Sequence, residues 1–281
     1  MKKIIFLFLL VLSLAGCSTK FTYNNIDWLI YWYIDDYIEF TDEQEKAFDV
    51  KLSEWLTWHR QTEFPLYLAH IDELIKDIEQ NALSIERMEH HTEKAREHWQ
   101  RLRARVAPDL VDMSFMLSDE QVVYLFAALE KDLQEEAEEY QKRLEKSADK
   151  RKKEWISRNE DSLEDWFGSL TSEQESFIKN SYQNFSPTRQ FWIDYKTDYQ
   201  SALRKAFASR DHNPEFKTEL EYLLTNPEVY RSDAFIMASE QNTKRSHEYL
   251  LTLLTLSTEK QRKELIEQIN DYREDIVDLA E

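Results

Sequence analysis

Residues 117–150 read LSDEQVVYLFAALEKDLQEEAEEYQKRLEKSADK and carry the clearest helical signal in the chain. The stretch opens on Ser118-Asp119-Glu120-Gln121, in which a hydroxyl stands three residues before a glutamine. In this capping box the hydroxyl accepts the backbone N–H of the glutamine, whose side chain reaches back to the N–H of the cap residue. Apolar residues then recur every three or four positions from Val122 to Ala148. The pattern predicts one long helix near 119–158.

Three further capping boxes predict helix starts at Thr41–Gln44, Thr171–Gln174 and Thr258–Gln261. Prolines mark other starts, because proline is tolerated in the first turn of a helix. They are Pro65, Pro108, Pro187, Pro214 and Pro227. Together these signals predict helices near 24–38, 42–62, 65–80, 84–106, 119–158, 172–183, 187–209, 214–224, 230–256 and 258–279.

The amino-acid composition argues against sheet-rich folds and against glycine-rich nucleotide loops. The chain has two glycines, and Gly168 is the only one after residue 16. Tight hairpins use glycine at positive φ, and phosphate-binding loops need several glycines. We therefore expect an all-α fold, an elongated multi-helix bundle over 22–281 with a possible sub-boundary near 159–172.

The N-terminus predicts export. Lys2 and Lys3 precede an apolar run that is too short to span a bilayer, so residues 1–16 are interpreted as a signal peptide. An ordinary secretory peptide or a membrane anchor is the alternative. The sequence Leu14-Ala15-Gly16-Cys17 resembles the lipobox of bacterial lipoproteins. The resemblance implies cleavage before Cys17, acylation of Cys17, a lipidated tether over 17–21 and, because Ser18 is not aspartate, an outer-membrane location facing the periplasm.

The charge of the chain limits its partners. The formal net charge is −19, and loss of Lys2 and Lys3 with the signal peptide leaves 34 basic against 55 acidic side chains. Phosphate contacts need clustered Lys and Arg, so nucleic acid is not an expected partner. The expected contacts are the membrane, through the lipid at Cys17, and an unknown envelope protein or cell-wall partner.

The histidines are the first candidates for a metal site. His90, His91 and His98 share one predicted helix with several glutamates, but no HExxH pattern or Glu-x-x-His pair accompanies them. A solvated polar face is the favoured interpretation. We predict no catalytic, cofactor-binding or metal residue, and that the protein is not an enzyme.

Aromatic residues crowd the segment 23–40, which includes Trp28 and Trp32. A helix that is apolar all round is buried by neighbours or lies in an interface. We favour a core helix, with contact to lipid headgroups as the alternative, and we expect Trp55 and Trp58 to pack against Trp28 and Trp32.

Two charged groups carry further expectations. Asp35 and Asp36 lie among aromatic residues, which favours a structural ion pair with a base such as Arg60 over a catalytic or ligand carboxylate. The basic run 150–153 is interpreted as a solvated helix face, with a small anion site as the alternative.

The segment Tyr23–Pro65, together with the lipobox, resembles an uncharacterised family of Gram-negative lipoproteins known only as a domain of unknown function. The residues that carry this resemblance are Trp28, Trp32, Asp35-Asp36-Tyr37, Thr41–Gln44, His59-Arg60 and Phe64-Pro65. The family implies no activity and no functional residues. More weakly, Leu170–Gln174 and Leu117–Gln121 are similar to the Leu-Thr-x-x-Gln signature of small helical periplasmic chaperones of the Spy and CpxP type.

These observations favour a membrane-anchored, periplasm-facing protein that binds or scaffolds other components of the cell envelope. The alternative is a tethered periplasmic chaperone of the holdase kind. A helical enzyme that uses carboxylates is the least favoured class.

Overall fold

The computed structural model describes residues 18–280, and this part of the chain is helical without any strand. Its α-helices are α1 (Ser18–Asn24), α2 (Ile26–Ile34), α3 (Asp42–Trp58), α4 (Phe64–Glu79), α5 (Ile85–Ser114), α6 (Asp119–Leu144), α7 (Ala148–Phe167), α8 (Ser172–Ser181), α9 (Arg189–Ala208), α10 (Phe216–Thr225), α11 (Asp233–Thr255) and α12 (Glu259–Ala280). A π-helical turn, His59–Glu63, joins α3 to α4, and 3-10 turns cover Tyr182–Asn184 and Pro227–Tyr230. The all-α prediction is confirmed.

The four capping boxes form as predicted. At Thr41, Ser118 and Thr171 the hydroxyl accepts the N–H of the glutamine, and the glutamine side chain accepts the N–H of the cap residue. Thr258 and Gln261 make the same two hydrogen bonds, of 3.0 and 3.2 Å. These helix starts are local, since donor and acceptor lie within four residues of each other.

The prediction of a single long helix near 119–158 is wrong, because the structure has two helices there, α6 and α7. The chain leaves helical geometry at Ser147, whose side chain accepts the backbone N–H of Lys150 and so begins α7. Arg151 then donates to the backbone carbonyl of Leu144, the last residue of α6, and to that of Lys146 in the turn that follows. The apolar spacing continues across this break, and for that reason the sequence pattern did not show it.

Pro108 was predicted to begin a helix but lies inside α5. Proline there removes one backbone hydrogen bond of the helix. The neighbouring Ala107 and Val111 are 3% and 0% exposed, and α5 packs on α10 through this region. Tertiary burial therefore holds the helix together across the proline. The other four prolines lie within two residues of the start of a helix or 3-10 turn, as expected.

We call residues 18–144 the first half and residues 148–280 the second half. Helices of the two halves pack across one another: α4 on α12, α5 on α10 and α11, and α6 on α9. Within the described residues, α1 packs on α12, and Lys20 and Asp278 form an ion pair of 2.6 Å there. Residues 18–21, which were expected to be part of a tether, are therefore helical. The division expected near 159–172 stays a prediction.

The capping glutamines of each half pair with each other, which the sequence did not predict. We name the Gln44–Gln121 pair the first clasp and the Gln174–Gln261 pair the second clasp. In the first clasp each glutamine donates to the side-chain oxygen of the other, at 2.9 and 2.8 Å. In the second clasp Gln261 donates to Gln174 at 2.9 Å. Each clasp thus joins the N-termini of two helices that are distant in sequence.

Candidate functional site

Helix α2 is not the core helix that its aromatic content favoured. None of its residues is buried. Trp28 and Trp32 stack on each other with ring centroids 6.5 Å apart, yet they stay 63% and 42% exposed. They are therefore not covered by Trp55 and Trp58, contrary to the prediction. Trp55 instead packs edge-on against Phe48.

The other face of α2 covers an apolar space inside the protein. Two adjacent cavities of about 360 and 480 Å³ lie beneath it. We call them together the chamber. Both cavities are lined by the same five residues at their common boundary, namely Tyr33, Ile34, Phe48, Leu110 and Leu224. Volumes of about 300–1,000 Å³ are typical of small-molecule sites, so the chamber is the candidate functional site.

The chamber exists because two core clusters do not meet. One cluster is built on Phe48, Leu52 and Trp55 of α3, and Ile34 of α2 packs against it. The other is built around Phe216 and Leu220 of α10. Phe48 and Leu220 both line the 360 Å³ cavity, from opposite clusters. The space between the clusters is thus walled almost wholly by apolar side chains.

A few polar groups lie at the edge of the chamber. Tyr37, which is buried, donates to the carboxylate of Asp132 on α6, and burial together with this acceptor raises the pKa of Tyr37. Arg103 lines the 480 Å³ cavity and pairs with Glu228 at 2.8 Å. The buried Nε atoms of Arg103 and Arg60 have no hydrogen-bond partner within the protein. Donors left in this state are costly, and Arg103 is the one of the two that lines the chamber, so its end of the chamber is suited to an acceptor.

His59 reaches the chamber from the π-helical turn. Pro65 has no N–H, and the N–H of Phe64 bonds to the carbonyl of His59 five residues back, which widens the turn. The imidazole of His59 hydrogen-bonds the hydroxyls of Tyr23 and Tyr67, each at 3.1 Å. Burial lowers the pKa of His59. A neutral imidazole therefore holds α1, α3 and α4 together at the wall of the chamber.

The predicted histidine face becomes a partly buried chain when α4 contributes His70. His70 bonds His98 at 3.2 Å and His91 at 3.1 Å, and His91 bonds Asp77 at 3.0 Å. Arg101 donates to His98 at the other end of the chain. If each histidine then donates to the next, from His98 to His70, from His70 to His91 and from His91 to Asp77, every ring nitrogen in the series has a partner. We call this series the histidine relay. His90 lies beside it and contacts Glu73 at 3.1 Å.

Two of the relay imidazoles, His70 and His98, favour the neutral form. Burial, followed by the neighbouring His91 and His98, lowers the pKa of His70 to about 4. Burial and the guanidinium of Arg101 lower the pKa of His98. Arg101 also makes a two-point ion pair with the fully buried Glu63, at 2.8 and 3.1 Å. The relay thus links two ion-paired ends of the α4–α5 contact rather than lining an open site.

Within residues 18–280, no group of three or more His, Cys, Asp or Glu side chains is arranged to hold a metal ion. The nitrogens of the relay point at one another in series and do not converge on a common point.

The expected burial of Asp35 or Asp36 against Arg60 is wrong. Both aspartates are exposed, whereas the Arg60 guanidinium lies 5.3 Å from the centroid of the Tyr23 ring. Tyr37, next in sequence, is the buried residue of this group.

The basic run 150–153 opens α7. Lys152 and Lys153 line a surface pocket that Asp149 and Glu160 also line, so the pocket is not purely basic.

No helix in the described residues is both long enough and apolar enough to cross a membrane. Cys17 and the signal peptide lie outside the described residues, so the structure gives no geometry for them.

Comparison with known families gives two matches. Residues 36–235 match a family of unknown function, DUF6279. The chain belongs to this family. Residues 1–18, which contain the single cysteine, match the prokaryotic membrane lipoprotein lipid attachment site. The predicted resemblance to an uncharacterised lipoprotein family is thereby confirmed. Searches of curated proteins and of solved structures found no match.

The DUF6279 match spans α3 to α10 and extends into the start of α11. It includes both core clusters beside the chamber, the histidine relay and the first clasp. The protein is a lipid-anchored member of a family whose activity is unknown.

Proposed function

We propose that this DUF6279 lipoprotein is a non-enzymatic binding protein of the outer membrane, facing the periplasm, and that its chamber binds an apolar ligand. The observation that carries the proposal is the pair of adjacent cavities beneath α2, with apolar walls and few polar groups. Apolar burial stabilises a bound ligand by roughly 25 cal/mol per Å² of surface removed from water.

Binding of an apolar fluorescent probe tests the proposal. The fluorescence of N-phenyl-1-naphthylamine increases when the dye moves from water into an apolar site. The protein for this experiment begins at Ser18, because that form keeps every described helix. We expect saturable binding of one or two probe molecules per chain. Leu110 lines both cavities, so Leu110→Trp should fill their common boundary and weaken binding about tenfold or more, which corresponds to about 1.4 kcal/mol.

The matched control is Leu250→Trp on α11. Leu250 is 37% exposed and Leu110 is 38% exposed, so the two substitutions change hydrophobicity and size at equally accessible positions. Leu250→Trp should bind the probe as the unchanged protein does. Equal binding by the two variants, or binding that never saturates, would count against the chamber.

A tethered holdase chaperone is the second candidate. Phe115, Val123 and Tyr124 flank the start of α6 and are 53%, 70% and 53% exposed, which gives an apolar surface outside the chamber. A holdase should suppress aggregation of unrelated unfolded proteins at near-stoichiometric amounts. Suppression that survives Leu110→Trp but is lost when Val123 and Tyr124 become serine would favour this candidate over the chamber.

Anchoring through Cys17 is tested separately. The Cys17→Ala precursor should stay uncleaved and unacylated, because the acylated cysteine is the residue before which lipoprotein precursors are cut. Gel mobility and partitioning into a detergent phase measure both effects. Normal cleavage with detergent-phase partitioning of this variant would show that the anchor lies elsewhere.

A further inference from the structure

The position of α2 suggests how a ligand reaches the chamber. Ser18, the first residue of α1, follows the predicted lipidation residue directly, and α1 has seven residues. At 1.5 Å per residue α1 is about 10 Å long, so α2 begins within about that distance of the anchor along the helix. A protein anchored at Cys17 therefore holds α2 at the membrane surface.

The two faces of α2 have different environments. Ile26, Ile30 and Ile34 line the chamber. Trp28 and Trp32 project outward as a stacked and exposed pair. Tryptophan is enriched where apolar lipid meets the polar headgroups, since its ring is apolar and its N–H is polar. One face of α2 thus suits the membrane interface while the other covers an apolar space.

The walls of the chamber distinguish between classes of apolar ligand. A peptide brings a backbone N–H and a C=O with every residue, and each needs a hydrogen-bond partner when it is buried. The chamber walls offer few such partners. A hydrocarbon chain needs none, so the walls favour an acyl chain over a protein segment.

The polar end of the chamber suits a lipid headgroup. Arg103 lines the same cavity as Tyr23 and His59, whereas Arg60 lies outside this lining, over the ring of Tyr23. The Nε atoms of both arginines lack partners within the protein. A phosphate supplies acceptor oxygens and negative charge to guanidinium groups.

We infer that α2 admits an acyl chain of a membrane phospholipid into the chamber, with the phosphate toward Arg103. This inference rests on the proposed function, because it names the ligand of the same chamber. It adds that the ligand comes from the bilayer in which the protein is anchored.

Photocrosslinking of the full lipoprotein in membranes tests the inference. A benzophenone amino acid replaces Leu110 or, at a second wall position, Leu203. The matched control position is again Leu250. The lipoprotein is reconstituted in vesicles of phosphatidylethanolamine and phosphatidylglycerol, irradiated, digested and analysed by mass spectrometry.

We expect phospholipid adducts at positions 110 and 203 that exceed those at 250 by about tenfold or more. Trp28→Ser combined with Trp32→Ser should lower the adducts in vesicles severalfold without changing probe binding in solution. Equal adducts at all three positions would overturn the inference. So would a crosslink to another protein, or an internal crosslink to the acyl chains of Cys17.

The probe experiment separates the two levels of the proposal. Saturable probe binding that is lost in Leu110→Trp, combined with no phospholipid adduct at 110 or 203, would leave a binding chamber and reject the membrane lipid as its ligand. If the protein neither binds the probe saturably nor forms phospholipid adducts at 110 and 203, the chamber itself is rejected as a binding site.

Discussion

The two clasps begin from the same motif and end in different surroundings. In the first clasp the NH2 group of each glutamine makes two hydrogen bonds. Besides donating to each other, Gln44 donates to the backbone carbonyl of Met116 and Gln121 to that of Glu39. In the second clasp Gln174 is completely buried and its Nε2 has no hydrogen-bond partner within the protein.

The surroundings differ in packing as well. Gln44 of the first clasp lines the chamber. Beside the second clasp lies the largest core cluster, to which Phe167, Ile178 and Leu265 belong. Gly168 ends α7 at this point with φ of +68°, and a Cβ placed there would lie 2.6 Å from the Glu264 carboxylate. The same local motif therefore lies beside the largest core cluster in one case and beside the chamber in the other.

The strongest test of this contrast is a truncation in each half. Ile178→Ala removes a fully buried side chain from the largest core cluster and should cost about 2–5 kcal/mol of the free energy of unfolding. Ile34→Ala, at the chamber wall, should cost only about 1 kcal/mol, since the side chain is partly exposed and already borders empty space.

Urea unfolding measures both values, and the slope against urea should stay constant. Equal losses for the two variants would mean that the chamber wall is packed as tightly as the core.

A smaller effect is expected from the clasps. Gln44→Leu removes two donors and one acceptor that are all paired, so it should cost about 1–3 kcal/mol. Gln174→Leu should cost less, because it also removes a buried donor that has no partner. The same urea experiment compares them. A larger loss at Gln174 would show that burial outweighs hydrogen bonding in the second clasp.

The smallest expected effect is a pH dependence of the stability of the first half. The pKa of His70 is about 4 in the folded protein, below its ordinary value of 6.5, so the unfolded chain takes up the proton first. Stability should therefore fall as the pH decreases from about 6.5 to about 4, and should not change through this group above 6.5. His70 is partly exposed, which limits the size of the effect.

Amide hydrogen exchange at pH 6.5 and pH 4.5 measures this change by region. Protection of α4 and α5 should drop at the lower pH, while α8 in the second half should change less. His70→Gln keeps a donor and an acceptor but does not titrate, so it should flatten the difference. Glu73 provides a separate pH window, since Arg87 and Lys94 lower its pKa to about 2 and its contribution is lost only below about 4.5.

The sequence by itself determined the features that depend on near neighbours. Each capping box was readable because hydroxyl, glutamine and backbone N–H lie within one turn. The scarcity of glycine predicted an all-α fold, and the residues around Cys17 predicted the lipoprotein. Ser147 carried a readable capping signal too, but the continuous apolar spacing of 119–158 concealed it.

Only the tertiary structure decided which distant groups meet. Gln44 and Gln121 are 77 positions apart, and His70 and His98 are 28 apart, so no local rule pairs them. The chamber depends on the distance at which the α3 and α10 clusters stop short of each other, which is a property of helix packing. Local hydrogen bonding fixes where helices begin, whereas the packing of helices from both halves fixes which surfaces touch and which space stays unfilled.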